Sequence, residues 1–339
     1  MPSASEPRAA APSAQPTPSS TSARPAPAPA RARRDPLGRV PPPVLLGTGI
    51  LSVQVGAGLA ARMFGTVSAA GLTGLRMWAA TLLLAGFGAR PAIRAVRSVV
   101  AERAWRDAAV VVAFGVTLGI MNFSIYQAFA RIPLGIAVTI EFLGPLAVAV
   151  ASSRRLIDAA WVVLAATGVT LLGTAGVSVV RLGGQVGHGS GSVVTGVLFA
   201  MTAAAAWACY ILLAAATGRR FSGASGLVVA MAIASVVVAP AAVAGAGRTL
   251  LRPAVLGAGL AIGMLSSVIP YRFELETLRR VPPRVFGIWM SLEPAVAALV
   301  GVVVLSQALS VPQWIAIGCV IVASAGAALG GGAAAAPQA

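Results

Sequence analysis

The sequence predicts an all-α integral membrane protein: ten transmembrane helices arranged as two inverted five-helix repeats. Three observations lead there. Of the 339 residues, 58% are hydrophobic and only 10% are charged, against about 25% charged residues in soluble domains. Ten apolar segments of roughly 20 residues follow one another, each long enough to cross a bilayer core. A short motif also recurs at an offset of 149 residues, or five segments.

Residues 1–43 read as a Pro/Ala/Ser-rich tail with six arginines. Nothing in it can bury a core, so disorder is expected. It lacks the apolar stretch of a signal peptide. Spans are expected at 44–63, 68–88, 108–129, 133–152, 157–179, 193–215, 225–246, 254–274, 284–305 and 312–330. Residues 44–180 then form the first repeat, 192–330 the second, and 331–339 a short disordered tail.

All 25 basic residues are arginine, and their placement gives orientation. With the N-terminus inside, 18 fall in inner segments and 5 in outer ones (Arg62, Arg131, Arg181, Arg248 and Arg252); without the tail the ratio is still 12 to 5. The positive-inside rule puts both termini in the cytoplasm of a multi-pass bacterial plasma membrane protein.

The recurring motif supplies the symmetry. "RIPLGIAVTIEFLGP" (131–145) aligns with "RVPPRVFGIWMSLEP" (280–294): Arg, an apolar residue and Pro, then eleven residues and a second Pro. Five spans per repeat send the second half through the membrane the opposite way. Such inverted repeats mark secondary transporters that bind near the midplane, between the halves.

The charged groups inside the spans are the candidate machinery. Glu141 lies about eight residues into its span, roughly 12 Å deep at 1.5 Å per residue. A charge there is costly unless paired or hydrated, and defaults to function. A carboxyl group so placed can load and release a proton. Pro145 has no N–H to give the carbonyl of Glu141, so a free acceptor and the carboxyl group share one level. Pro294 does the same to Met290, the repeat counterpart of Glu141, and Glu293 follows on about the same face. Pro270 frees the carbonyl of Ser266. Helices broken in this way are tolerated where they face protein or a watery cavity.

Arg76, eight residues into the second span, is the obvious counter-ion. It either forms a permanent ion pair with one of the glutamates or serves a substrate or proton site. The third span offers Asn122, Tyr126 and Gln127, of which Asn122 and Tyr126 share a face. The eighth span offers Tyr271, Arg272, Glu274 and Glu276; Arg272 and Glu276 read as an i, i+4 pair near the cytoplasmic end, and Glu274 as the better site candidate. Gln54 can bond a ligand or another helix. Trp207, Tyr210 and Trp289 line a cavity or pack helices. The GxxxG pairs Gly115/Gly119, Gly259/Gly263 and Gly326/Gly330 allow close helix contact, within the fold or between subunits.

Several function classes fall away. The arginines sit in short clusters without interleaved aromatics, unlike a nucleic-acid surface. Cys209 and Cys319 lie in apolar runs and read as buried, inert thiols. His188, the single histidine, reads as a solvated residue of a Gly-rich loop that lacks the Lys-Ser/Thr of a phosphate-binding loop. Neither an enzymatic constellation nor a cofactor or metal spacing is visible. Partners reduce to a small-molecule substrate and the bilayer, with a homodimer left open.

"PLGIAVTIEFLGPLAVAVASSRR" (133–155) and "IPYRFELETLRRVPPRVFGIWMSLEPAVAALVGVVVL" (269–305) resemble the EamA-type branch of the drug/metabolite transporter superfamily, and within it the threonine/homoserine exporter group. "SVQVGAGLAARMF" (52–64) and "GLTGLRMWAATLLL" (71–84) resemble that group's first two spans. The resemblance covers about residues 44–330. It implies ten helices in two inverted repeats and export of small amino acids or related metabolites, with proton-coupled exchange. Where the family commonly has Gly-Glu after the ninth span, this chain has Ser306-Gln307. Arg272 and Glu276 stand where a small polar and an apolar residue are expected. The expected function is amino-acid or metabolite export by alternating access, with drug or cationic-compound efflux as the alternative.

Overall fold

The computed structural model describes residues 40–151, 160–168, 171, 192–221 and 225–330. Every regular element among the described residues is helical. In chain order they are α1 (Pro42–Arg62), α2 (Ala69–Ala101), α3 (Trp105–Phe129), α4 (Leu134–Glu141), α5 (Leu143–Ala151), α6 (Val193–Gly218), α7 (Ser225–Ala246), α8 (Pro253–Gly263), α9 (Ile269–Leu278), α10 (Pro283–Met290), α11 (Glu293–Leu305) and α12 (Val311–Gly330). A 3₁₀ turn (Gly247–Leu251) precedes α8, and a π-helical turn (Met264–Val268) joins α8 to α9.

Among the described residues nine helical segments are long and apolar enough to cross a membrane, and they correspond to nine of the ten expected spans. In the remaining one, 157–179, residues 160–168 and 171 are helical and the others lie outside the described residues, as do His188 and tail residues 1–39 and 331–339; the last two residues of the expected tail, 42 and 43, already belong to α1. The main departure is α2. It runs 33 residues, through Pro91 and on to Ala101, across ground that the arginines mark as loop. Alanine and arginine are strong helix formers, so the helix continues past its apolar window, which ends at Gly86.

Local chemistry sets many of the helix starts. Ser68 and Ser192 accept N–H groups of the first turns of α2 and α6. Prolines open α1, α8 and α10, where a missing N–H costs nothing. At the end of α11, Ser306 adopts a left-handed conformation (φ 54°), a position that suits glycine. The next residue, Gln307, accepts the Leu134 N–H at 3.0 Å and so caps α4 from the other half of the chain.

Two interrupted helices stand out. α4 and α10 are each eight residues long, each has a proline N-cap (Pro133 and Pro282), and each stops four residues before the second proline of its motif. They begin and end 149 residues apart. α5 and α11 resume the two spans.

The core sits where these pieces meet. α3 packs along α6, α2 along α7, and α4 against α11. Small residues allow the approach: a Cβ on Gly135 would lie 2.6 Å from the Ala298 Cα. Gly115 and Gly119 abut α7, Gly259 and Gly263 abut α2, and Gly326 abuts Trp161, so these GxxxG contacts lie within one chain. Cys209 is exposed on α6 rather than buried, because that helix turns much of its apolar surface outward; Cys319 is half-buried.

Candidate functional site

The breaks in the helices converge on one cavity of about 190 Å³. α1 contributes Gln54, α2 Arg76, α3 Asn122, α4 Glu141, and α6 Trp207 and Tyr210. Ser266 of the π-helical turn, Pro270, Tyr271 and Glu274 of α9, Met290 of α10 and Glu293 of α11 complete the polar wall. One arginine therefore shares a cavity with three carboxyl groups drawn from three different spans.

Arg76 is positioned by backbone. Its Nη2 donates to the Ser266 carbonyl oxygen at 3.0 Å, the acceptor that Pro270 cannot serve. Its guanidinium also lies over the Tyr126 ring, 5.4 Å from the centroid, a cation–π contact. Of the two readings of Arg76, the permanent ion pair is not formed: among the described residues no salt bridge joins Arg76 to Glu141, Glu274 or Glu293. A carbonyl fixes the cation without neutralising it. The π-helical turn is held in turn by Ser52, whose Oγ donates to the Leu265 carbonyl at 2.8 Å. It presses on α1 at Gly56, where a Cβ would lie 2.2 Å from the Ser266 Oγ.

Glu293 is held from one side. Gln54 Nε2 donates to its Oε1 at 2.9 Å. The Gln54 Oε1, Arg76 Nε, Ser266 Oγ and Glu293 Oε2 are buried atoms with no hydrogen-bond partner among the described residues, as is the Tyr126 hydroxyl behind Arg76. Buried polar atoms are normally satisfied, and each orphan costs about 1–3 kcal/mol. Four such atoms around one cavity make a site suited to a polar ligand that both donates and accepts.

The remaining predicted residues divide between the cavity and other contacts. Asn122 lines the cavity while its amide donates back to Leu118 at 2.9 Å. Pro294 is buried at the start of α11. Gln127 is engaged by Arg131 at 2.8 Å, away from the cavity. Trp289 is not among the lining residues. Glu276 pairs with Arg279 and Arg280 rather than with Arg272, although all three arginines lie within one helical turn of it.

Pro145 lines a second cavity, of about 320 Å³, with Phe142, Leu146, Phe286 and Ser324. Trp207, Glu274 and Met290 line both cavities and so form the partition between them. The Phe142 ring meets Trp207 edge-on at 5.0 Å between centroids, closing that partition. Sequence reasoning missed Ser52 and Phe142, which carry no charge and show no periodic signal. Among the described residues no group of three or more His, Cys, Asp or Glu side chains is placed to hold a metal ion.

Residues 194–329 match the EamA-like transporter family. Over 288 residues the chain is 38% identical to the threonine/homoserine exporter RhtA of Escherichia coli K12, covering 85% of this chain and 91% of the relative. It belongs to the EamA-like transporter family. The RhtA exporter of Salmonella typhimurium LT2 is similarly related, at 37% identity over 291 residues. A crystal structure with 19% sequence identity superposes with a TM-score of 0.50 over 85% of this chain and 96% of that one, a likeness of fold. This EamA-like chain is thus a multi-pass membrane protein of a transporter family, and the cavity of interrupted helices is its candidate substrate site.

Proposed function

We propose that this transporter exports small amino acids, resembling threonine or homoserine, across the bacterial plasma membrane by alternating access coupled to protons. The observation that carries the reading is the cavity's charge pattern: Arg76, anchored but not neutralised, shares a small space with Glu141, Glu274 and Glu293. An amino acid carries both charges. Its carboxylate suits the free edge of the guanidinium, and its ammonium suits the carboxyl groups. A side-chain hydroxyl suits orphan atoms such as the Ser266 Oγ. Two RhtA relatives, named as threonine/homoserine exporters, support the same substrate class.

Glu141 and Glu293 are the proposed proton-coupling groups, with Glu274 facing both cavities. Interrupted helices of equal length, 149 residues apart, support ten spans in two inverted repeats, with the site between the halves. The arginine asymmetry supports cytoplasmic termini.

Drug or cationic-compound efflux is the second reading, favoured by three carboxyl groups and the rings of Trp207 and Tyr210. The volume weighs against it, since about 190 Å³ is below the roughly 300–1,000 Å³ of pockets for drug-sized ligands. Counterflow in proteoliposomes, with a panel of amino acids and cationic drugs and with or without a pH gradient, tests the two. Threonine and homoserine counterflow supports export of amino acids; counterflow of the drugs alone refutes it.

A further inference from the structure

A groove larger than either of these cavities lies outside the transport site. It runs between α2 and α7, has a volume of about 670 Å³, and is lined almost wholly by alanine, valine and isoleucine. The two helices are antiparallel: Gly74 faces Ala242 and Gly88 faces Val228. Trp78 donates to the Ser235 carbonyl at 3.2 Å, and the Thr81 and Ser235 hydroxyls meet at 2.7 Å. These bonds close the helix pair at one end of the groove. Beyond Thr81, the small side chains of Ala85, Ala89 and Ala232 leave the space open, and Val236 is 72% exposed at its rim.

Among the described residues Arg97 is the one charged residue lining the groove. It is exposed, and Arg90 lies two turns earlier on the same face of α2, also exposed. No salt bridge among the described residues involves either arginine. From Thr81 to Arg97 is roughly 24 Å at 1.5 Å per residue. One leaflet measures about 20–22 Å, being half of a 30 Å hydrocarbon core plus one headgroup layer.

We propose that this groove is a binding site for one anionic phospholipid. An acyl chain lies along the alanines, and the headgroup phosphate meets Arg97, with Arg90 adding to the field. The groove's length suits a lipid of one leaflet, its walls match hydrocarbon, and its single charge at one end complements a phosphate. A site of this kind ties the packing of α2, which carries Arg76, to the charge of the surrounding membrane.

Native mass spectrometry of the detergent-purified protein, with dioleoyl phosphatidylglycerol or dioleoyl phosphatidylcholine added, tests this. The wild type retains one phosphatidylglycerol in preference to phosphatidylcholine. R97Q, a change at an exposed position, reduces that preference by about five-fold, while R248Q, at an exposed arginine beyond the far end of α7, leaves it unchanged. A232F fills the groove and removes the bound lipid. Equal retention of both lipids by the wild type overturns the proposal, as does an R97Q protein that matches the wild type. A dimer that A232F dissociates without changing lipid retention also overturns it, by making the groove a contact between copies.

Discussion

Arg76 donates to the Ser266 carbonyl oxygen at 3.0 Å, across 190 positions of sequence. The acceptor is available because residue 270 is proline. A helix break in one span thus fixes the cation of another, and leaves the Arg76 Nε buried without a hydrogen-bond partner among the described residues. R76Q is expected to weaken threonine or homoserine binding by about 10–150-fold, the worth of one hydrogen bond to a charged group. R76K is expected to recover part of that, since a lysine keeps the charge but cannot hold the carbonyl and grip a carboxylate with one planar fork. Concentration dependence of counterflow measures both; wild-type affinity in R76Q removes the arginine from the site.

The Gln54–Glu293 bond joins the first and ninth spans in a buried setting. Removing the amide leaves a buried carboxyl group with neither oxygen satisfied. Q54L is expected to cost about 1–3 kcal/mol, seen as a lower melting temperature in detergent. E293Q, which retains a hydrogen-bonding partner for Gln54, is expected to melt close to the wild type.

α4 and α11 touch at a point where only glycine fits. A Cβ on Gly135 would lie 2.6 Å from the Ala298 Cα, a backbone atom that cannot retreat alone. G135A is expected to cost about 1–3 kcal/mol by overpacking. G47A, where a Cβ meets nothing within 4 Å, is the matched control and is expected to melt like the wild type. Equal melting temperatures for the two variants would show that the two spans separate at little cost.

Glu141 is buried at the end of α4, in the same cavity as Arg76 and without an ion pair among the described residues. E141Q keeps the size of the side chain and removes its proton exchange. The protein is expected to remain folded and to lose the dependence of transport on a pH gradient. Measurement in proteoliposomes at matched and unmatched pH checks it; normal gradient dependence in E141Q rules the residue out of coupling. A large loss of stability in E141Q, restored by also replacing Arg76, would instead make the two residues a structural pair.

Much of the architecture was legible because it is written in local terms. Apolar runs of span length and the prolines at 133, 145, 282 and 294 locate the spans and their interruptions without knowledge of any neighbour. The free carbonyl of Ser266 was legible for the same reason: it follows from a missing N–H four residues on. What takes that carbonyl was not. Electrostatics between spans suggested a carboxylate for Arg76, but the packing of α2 against the π-helical turn brings a backbone oxygen there first. The capping of α4 by Gln307 and the hold of Ser52 on Leu265 are likewise contacts between distant segments, and nothing periodic marks them. Glu276 misled in the opposite sense, because three arginines lie within one turn of it and helix geometry alone does not choose among them. The continuation of α2 past its apolar window was masked by arginines that read as loop.

Competition against labelled threonine counterflow tests the central claim, that the substrate is held between Arg76 and the carboxyl groups as a zwitterion. The competitors are homoserine, an analogue without the carboxylate, an analogue without the amine, and a lipophilic monocation. The account predicts competition by homoserine and little by either analogue that carries a single charge, with the preference over the analogue lacking the carboxylate lost in R76Q. Equal competition by homoserine and the lipophilic monocation in the wild type would contradict it.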